Sequence, residues 1–118
     1  MSGLYGDFAA KTTQQGAINV LKSWTPLCSS GSTPLAGRRQ LRIFVRGKVG
    51  NALGIAYSPK NADGTFTAPT TDIRLVTIYP GGSIWVEPIS DSVNVYGYLL
   101  DKVGATENSV RVVVTEYR

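Results

Sequence analysis

Histidine is absent from the 118 residues, and Cys28 is the only cysteine. The first absence removes the commonest general base and the commonest zinc ligand. With one thiol, it leaves no Cys/His metal cluster and no histidine-containing catalytic triad. A lone cysteine forms no intrachain disulfide, so the bridged scaffold of a small secreted domain is excluded. Long apolar runs are lacking as well, and none approaches the ~18 residues of a membrane span. Met1 to Phe8 has neither the basic start nor the apolar core of a signal peptide. These absences lead to the expectation of a soluble chain made in the cytoplasm, with no membrane partner.

No long stretch of helix-forming residues is present either. Thirteen glycines, six prolines and frequent Thr and Val point instead to an all-β chain with many turns. The length suits one domain with a real core. A formal charge of +4 is modestly basic; it permits an acidic partner, and solubility alone also accounts for it.

Tyr79-Pro80-Gly81-Gly82 has the chemistry of a type II turn, with proline presetting φ at the first central position and glycine supplying positive φ at the next. Its flanking apolar arms are expected to fold back on each other. With Val93 to Tyr98, beyond the polar break Ser90-Asp91-Ser92, they read as three consecutive antiparallel strands. Earlier, Ala17 to Trp24 reads as the first strand, followed by a proline-bounded loop or sheet crossing through Pro34. Arg39 to Arg46 is the clearest strand, with Leu41, Ile43 and Val45 inward and Gln40, Arg42, Phe44 and Arg46 outward. Gly47 to Asn51 is predicted as a hairpin connection, with Leu53, Ile55 and Tyr57 continuing on the core side and Gly54, Ala56 and Ser58 opposite. Ser58 to Thr71 should be a long surface loop and Leu100 to Ser109 another. Val110 to Tyr117 closes the chain, Val110, Val112 and Val114 facing one way and Arg111, Val113, Thr115 and Tyr117 the other. The expected architecture is an antiparallel β-sandwich, jelly-roll or immunoglobulin-like, of seven to eight strands; a small closed barrel comes second. Residues 1–16 are expected to form a flexible arm and 17–118 the domain.

The eight acidic residues are scattered among turns and strand ends. Glu87 and Asp91 are the closest pair, but a glycosidase-like pair needs one acid in an apolar pocket, and turn capping explains the positions more simply. Asn61-Ala62-Asp63-Gly64 lacks the later ligands of a calcium loop. The glycines at 47, 50, 81 and 82 are turn glycines, because no helix follows to hold an anion. No catalytic residue, metal ligand or cofactor is expected.

Binding is a different matter. Arg38, Arg39, Arg42, Arg46 and Lys48 cluster in sequence, with Phe44 among them. A sheet face of arginines and an aromatic can hold single-stranded nucleic acid by backbone attraction and stacking; the same pattern is also an ordinary wet sheet face. If the valine faces are core, Trp85, Tyr96, Tyr98 and Phe44 lie on an outer surface, and large aromatics beside arginines mark protein contacts. Alternatively, a loop or the N-terminal segment buries that second face. Leu4, Tyr5 and Phe8 would anchor the arm on a neighbouring subunit, unless the terminus is simply frayed.

The order of features is also familiar. Gly37 to Val45, the step to Leu53-Gly54-Ile55-Ala56-Tyr57, a Pro-Gly-Gly turn leading to Ser83-Ile84-Trp85-Val86-Glu87, the tyrosine-bearing Val93 to Tyr98 and the last strand Val110 to Glu116 resemble small virion proteins of tailed bacteriophages. That group includes capsid decoration, or cement, proteins with β-sandwich or β-tulip cores. The resemblance spans roughly residues 37 to 117 and transfers no binding residue onto a particular position. It implies a non-enzymatic protein on the virion capsid surface, often a homotrimer, that binds the major capsid protein and stabilises the capsid. A tail or fibre component with a carbohydrate-binding surface is the alternative, and a single-stranded nucleic-acid binder is less favoured.

Overall fold

Alternation is what builds the sheets. In the computed structural model, which describes residues 13–46, 52–70, 76–100 and 109–118, Leu41, Ile43 and Val45 are fully buried. So are Val112 and Val114 of the last strand, while Arg42, Arg46 and Arg111 between them are exposed. Among the described residues eight strands result: β1 Thr13–Val20, β2 Thr25–Pro26, β3 Gln40–Arg46, β4 Ala52–Pro59, β5 Val76–Ile78, β6 Ser83–Val86, β7 Val93–Leu100 and β8 Val110–Tyr117. The described residues contain no helix.

The strands form two four-stranded sheets, a front sheet in the order β1-β8-β3-β6 and a back sheet in the order β2-β7-β4-β5. Every ladder is antiparallel, and the pairs nest: β1 with β8, β2 with β7, β3 with β6, β4 with β5. A long hairpin folded over on itself gives this nesting, and the β3–β8 and β4–β7 ladders close the two sheets. The expected all-β sandwich is therefore present, and of the two topologies considered its strand order is that of the eight-stranded jelly roll. The inner faces meet in one core that includes Leu27, Leu41, Ile43, Leu53, Ile55, Val95, Leu99 and Val112. Each such side chain contributes on the order of 1.5–3 kcal/mol on burial.

Tyr79 to Gly82 forms the predicted turn: the Gly82 amide donates to the Tyr79 carbonyl at 2.9 Å, and Gly81 has φ +86°. Its two arms do not pair with each other, however. The Gly81 amide donates to the Val45 carbonyl (2.8 Å) and the Val45 amide to the Gly82 carbonyl (2.9 Å), which docks the turn on β3. From there β6 continues along β3 in the front sheet while β5 stays beside β4 in the back sheet. The three consecutive strands are thus a zigzag between layers. The predicted hairpin between the third and fourth strands is corrected in the same way, since β3 and β4 lie in different sheets; its connection, 47–51, lies outside the described residues.

Two further expectations shift. The first strand begins at Thr13 and ends at Val20, because uncharged Gln14 and Gln15 pair in register with Glu116 and Thr115. Tyr57, predicted on the core side, is 38% exposed. Gly54, Ala56 and Ser58, expected on the wet side, are buried.

Gly16 faces inward where the chain after β2 passes beneath β1, and a Cβ there would lie 2.3 Å from the Ser29 carbonyl oxygen. That neighbour is backbone and gives little. Gly16→Ala is expected to lower stability by about 1–3 kcal/mol, seen as an earlier urea midpoint at unchanged slope. Gly97→Ala should cost less, because its nearest neighbours are Leu53 and Leu27 methyl ends.

Candidate functional site

The register places the outward side chains of the front sheet in rows. Gln15, Thr115, Arg42 and Trp85 form one row across β1, β8, β3 and β6. Ala17, Val113, Phe44 and Ser83 form the next, then Asn19, Arg111 and Arg46. At the other end stand Thr13, Tyr117 and Gln40. Arg39 and Arg118 line a shallow depression beside that end, together with Gln40, Glu87, Pro88 and Tyr117. The Gln40 amide donates to Glu87.

Trp85 is 53% exposed although it sits in the sandwich's own sheet. Its ring stacks on Tyr117 across β3, with centroids 5.4 Å apart and planes at 29°, and the Arg42 guanidinium lies 5.5 Å from its centre. The indole is held by an aromatic and a cation, so its open side is a fixed platform. Arg46 and Arg111 are direct cross-strand partners. Like charges so placed repel. Arg111 donates to Asn19 Oδ1 at 3.1 Å, and neither arginine makes an ion pair with another described residue. The arrangement suits a flat anionic surface or polyanion that brings its own negative charge and one planar or apolar group.

Compared with known proteins, the chain matches no family model, no curated protein and no solved structure at a significant level.

Of the predicted contact residues, Arg39, Arg42, Phe44, Arg46 and Trp85 come together at this face. Tyr98 does not: it is half-buried on the back sheet against Trp24, with ring centroids 5.2 Å apart. Tyr96 is only 4% exposed, so its side of β7 is covered, and burial, partly offset by an Asn94 hydrogen bond, pushes its phenol pKa up. Leu4, Tyr5 and Phe8 lie outside the described residues. Arg111, Val113, Tyr117 and Arg118 belong to the neighbourhood and were not singled out from the sequence. The alternation of the last strand does mark its outward residues; only the β3–β8 register reveals that they adjoin Arg42 and Phe44.

Arg38 is not a surface arginine. It is 1% exposed, and its Nη1 donates to Glu116 Oε2 at 2.9 Å. Glu116 follows Val110, Val112 and Val114 on the inward side of β8 and is wholly buried. Its Oε1 accepts from the Ser29 amide (2.7 Å) and hydroxyl (2.6 Å), and its Oε2 also accepts from the Leu35 amide (2.9 Å). The Arg38 Nη2 donates to the Ser90 and Val93 carbonyls. Beside this cluster the Cys28 thiol donates to Asn94 Oδ1 at 2.9 Å. Burial first, then the Glu116 charge, push that thiol up to about 12, Arg38 acting in the opposite sense. Glu87 and Asp91 serve separate partners, Asp91 accepting from the Gly37 amide at 2.8 Å. Asp63 caps Thr65 in an exposed turn, which holds its carboxyl below the usual range.

Glu116→Gln leaves the Arg38 charge without its counter-ion and is expected to cost about 3–5 kcal/mol, read by chemical denaturation. The Cys28 thiol should stay unlabelled by iodoacetamide in the native protein at pH 8, because the reactive thiolate is suppressed, and label rapidly in denaturant. Equal rates in both would refute its burial.

Proposed function

We propose that this chain is a non-enzymatic structural protein of a phage virion, a capsid decoration or cement protein that docks the outer face of its front sheet on the major capsid protein. The observation that carries the reading is that face: Trp85 held open on Tyr117 and Arg42, with Phe44 in the next row and Arg39, Arg46, Arg111 and Arg118 around it. Aromatic and arginine side chains supply most of the binding energy at protein contacts. A basic face steers encounter with an acidic surface and makes it salt-dependent. The sequence resemblance to phage decoration proteins supports the same reading. The mechanism is linkage, each bound copy stabilising the assembled shell over its dissociated subunits.

The Arg46–Arg111 pair beside an exposed indole also favours a second reading, a binder of single-stranded nucleic acid, in which phosphates relieve the repulsion and bases stack on Trp85.

The test uses purified particles of the phage that encodes the chain. The protein is expected in them in many copies, and the double substitution Arg42→Glu with Arg46→Glu should lower retention on heads at least tenfold, about 1.4 kcal/mol or more. Lys60→Ala, at an exposed residue away from the face, should leave retention unchanged. Absence from particles, or retention indifferent to the arginines, overturns the reading. Retention of single-stranded oligonucleotides that falls steeply with salt and requires the same arginines would establish the second one.

A further inference from the structure

The four edges of the sandwich are unequal. Among the described residues three are short: β2 has two residues, β5 three and β6 four. Short edge strands are one of the ways in which natural sheets avoid adding a foreign strand. The fourth edge, β1, is eight residues long, TQQGAINV, without a charge or a proline. On one side it pairs with β8 along its whole length, and no described strand lies on the other. Thr13, Gln14, Gln15, Ala17 and Asn19 are all exposed. Within Thr13–Val20 the common devices that protect an edge, lysine, proline, a bulge or shortness, are missing.

We propose that β1 pairs with β1 of a second copy of this chain, antiparallel across a two-fold axis normal to the sheet, joining two front sheets into one of eight strands. The occupant follows from self-complementarity. Directly opposed residues must point to the same face, so the two-fold falls at Gly16 or at Ala17, the small residues at the middle of the strand. In the first register Gln15 meets Ala17 of the other copy; in the second it meets Asn19, and Ala17 meets itself. Either way only Thr, Gln, Ala and Asn face one another on the outer side, with no like charges opposed. Both open edges are satisfied at once, and the assembly closes as an isologous dimer. A β1–β6 pairing would be heterologous, and β6 offers only four residues. This two-fold pair is not the trimer that the family resemblance implies, and it does not rest on the docking proposal. The axis does leave both arginine faces on the same side of the joined sheet.

Light scattering on the full chain is expected to give twice the monomer mass, falling to the monomer on dilution. Gln15→Lys with Ala17→Lys sets lysines opposite each other in either register and should yield a monomer with unchanged far-UV circular dichroism. Mixing it with Gln15→Glu/Ala17→Glu should restore the dimer. Arg42→Ala, on the docking face, should leave the mass unchanged, which separates this proposal from the previous one. Independently of the variants, wild-type β1 amides should exchange hydrogen more slowly at high concentration than at low. A wild-type monomer at all concentrations, a trimer, a dimer indifferent to the lysines or concentration-independent β1 exchange would each overturn the pairing.

Discussion

The carboxylate of Glu116 is the fixed point of this sandwich. The chain leaving β2 must pass from the back sheet to the front across a water-poor end of the sandwich, and its backbone donors need acceptors there. Glu116 supplies them to the Ser29 and Leu35 amides, and it also takes the Ser29 hydroxyl and the Arg38 guanidinium. Arg38 in turn satisfies the Ser90 carbonyl ahead of β7 and the Val93 carbonyl at its first residue. Two connections and the end of β8 are thereby tied to one pair of charges. A buried pair of this kind contributes little net stability against an apolar replacement of equal shape, since both ions lose their water. Its effect is positional: removing either member strands the other, so alternative paths for the 27–38 segment are penalised.

That position is transmitted outward through the pleat. Glu116 and Tyr117 are neighbours on opposite faces of β8, as side chains alternate. The Arg39 amide donates to the Tyr117 carbonyl at 2.8 Å, immediately after Arg38, and Gln40 then opens the ladder with Tyr117. The buried ion pair thus sets the β3–β8 register from inside, and the same register decides which side chains stand together outside. A one-residue slip would turn Glu116 to solvent and Tyr117 into the core. The Trp85–Tyr117 stack and the Arg42 contact depend on the slip not occurring.

Period-two alternation made the inward and outward residues of β3 and β8 legible, and proline and glycine chemistry made the Tyr79–Gly82 turn legible. What alternation cannot carry is the identity of a strand's neighbour. It therefore suggested hairpins where the chain changes sheets, and it gave no sign that Arg46 faces Arg111. Adjacency in sequence misled at Arg38, grouped with exposed arginines although it precedes the strand and turns inward. Glu116 was readable in principle, because the Val110, Val112, Val114 series continues to it; a carboxylate on a core face demands a buried cation. Tyr96 and Tyr98 share a side of β7 but not an environment, which no pattern within one strand distinguishes.

The distribution of charge over the front sheet is itself an argument about how it is used. Arginines stand opposite each other on its two inner strands, where repulsion costs folding stability, while the adjoining open edge carries no charge at all. A sheet selected only for solubility and monomeric behaviour would do the reverse, spreading its cations and placing some on the edge. The pattern fits two contacts of different chemistry, an anionic partner over the face and an uncharged strand at the edge. If β1 joins two copies, their arginine faces act on one partner surface with the second contact made effectively intramolecular. Contacts individually weak and salt-sensitive then suffice for retention on a repetitive acidic surface, and a single isolated target of the same charge is held far less firmly.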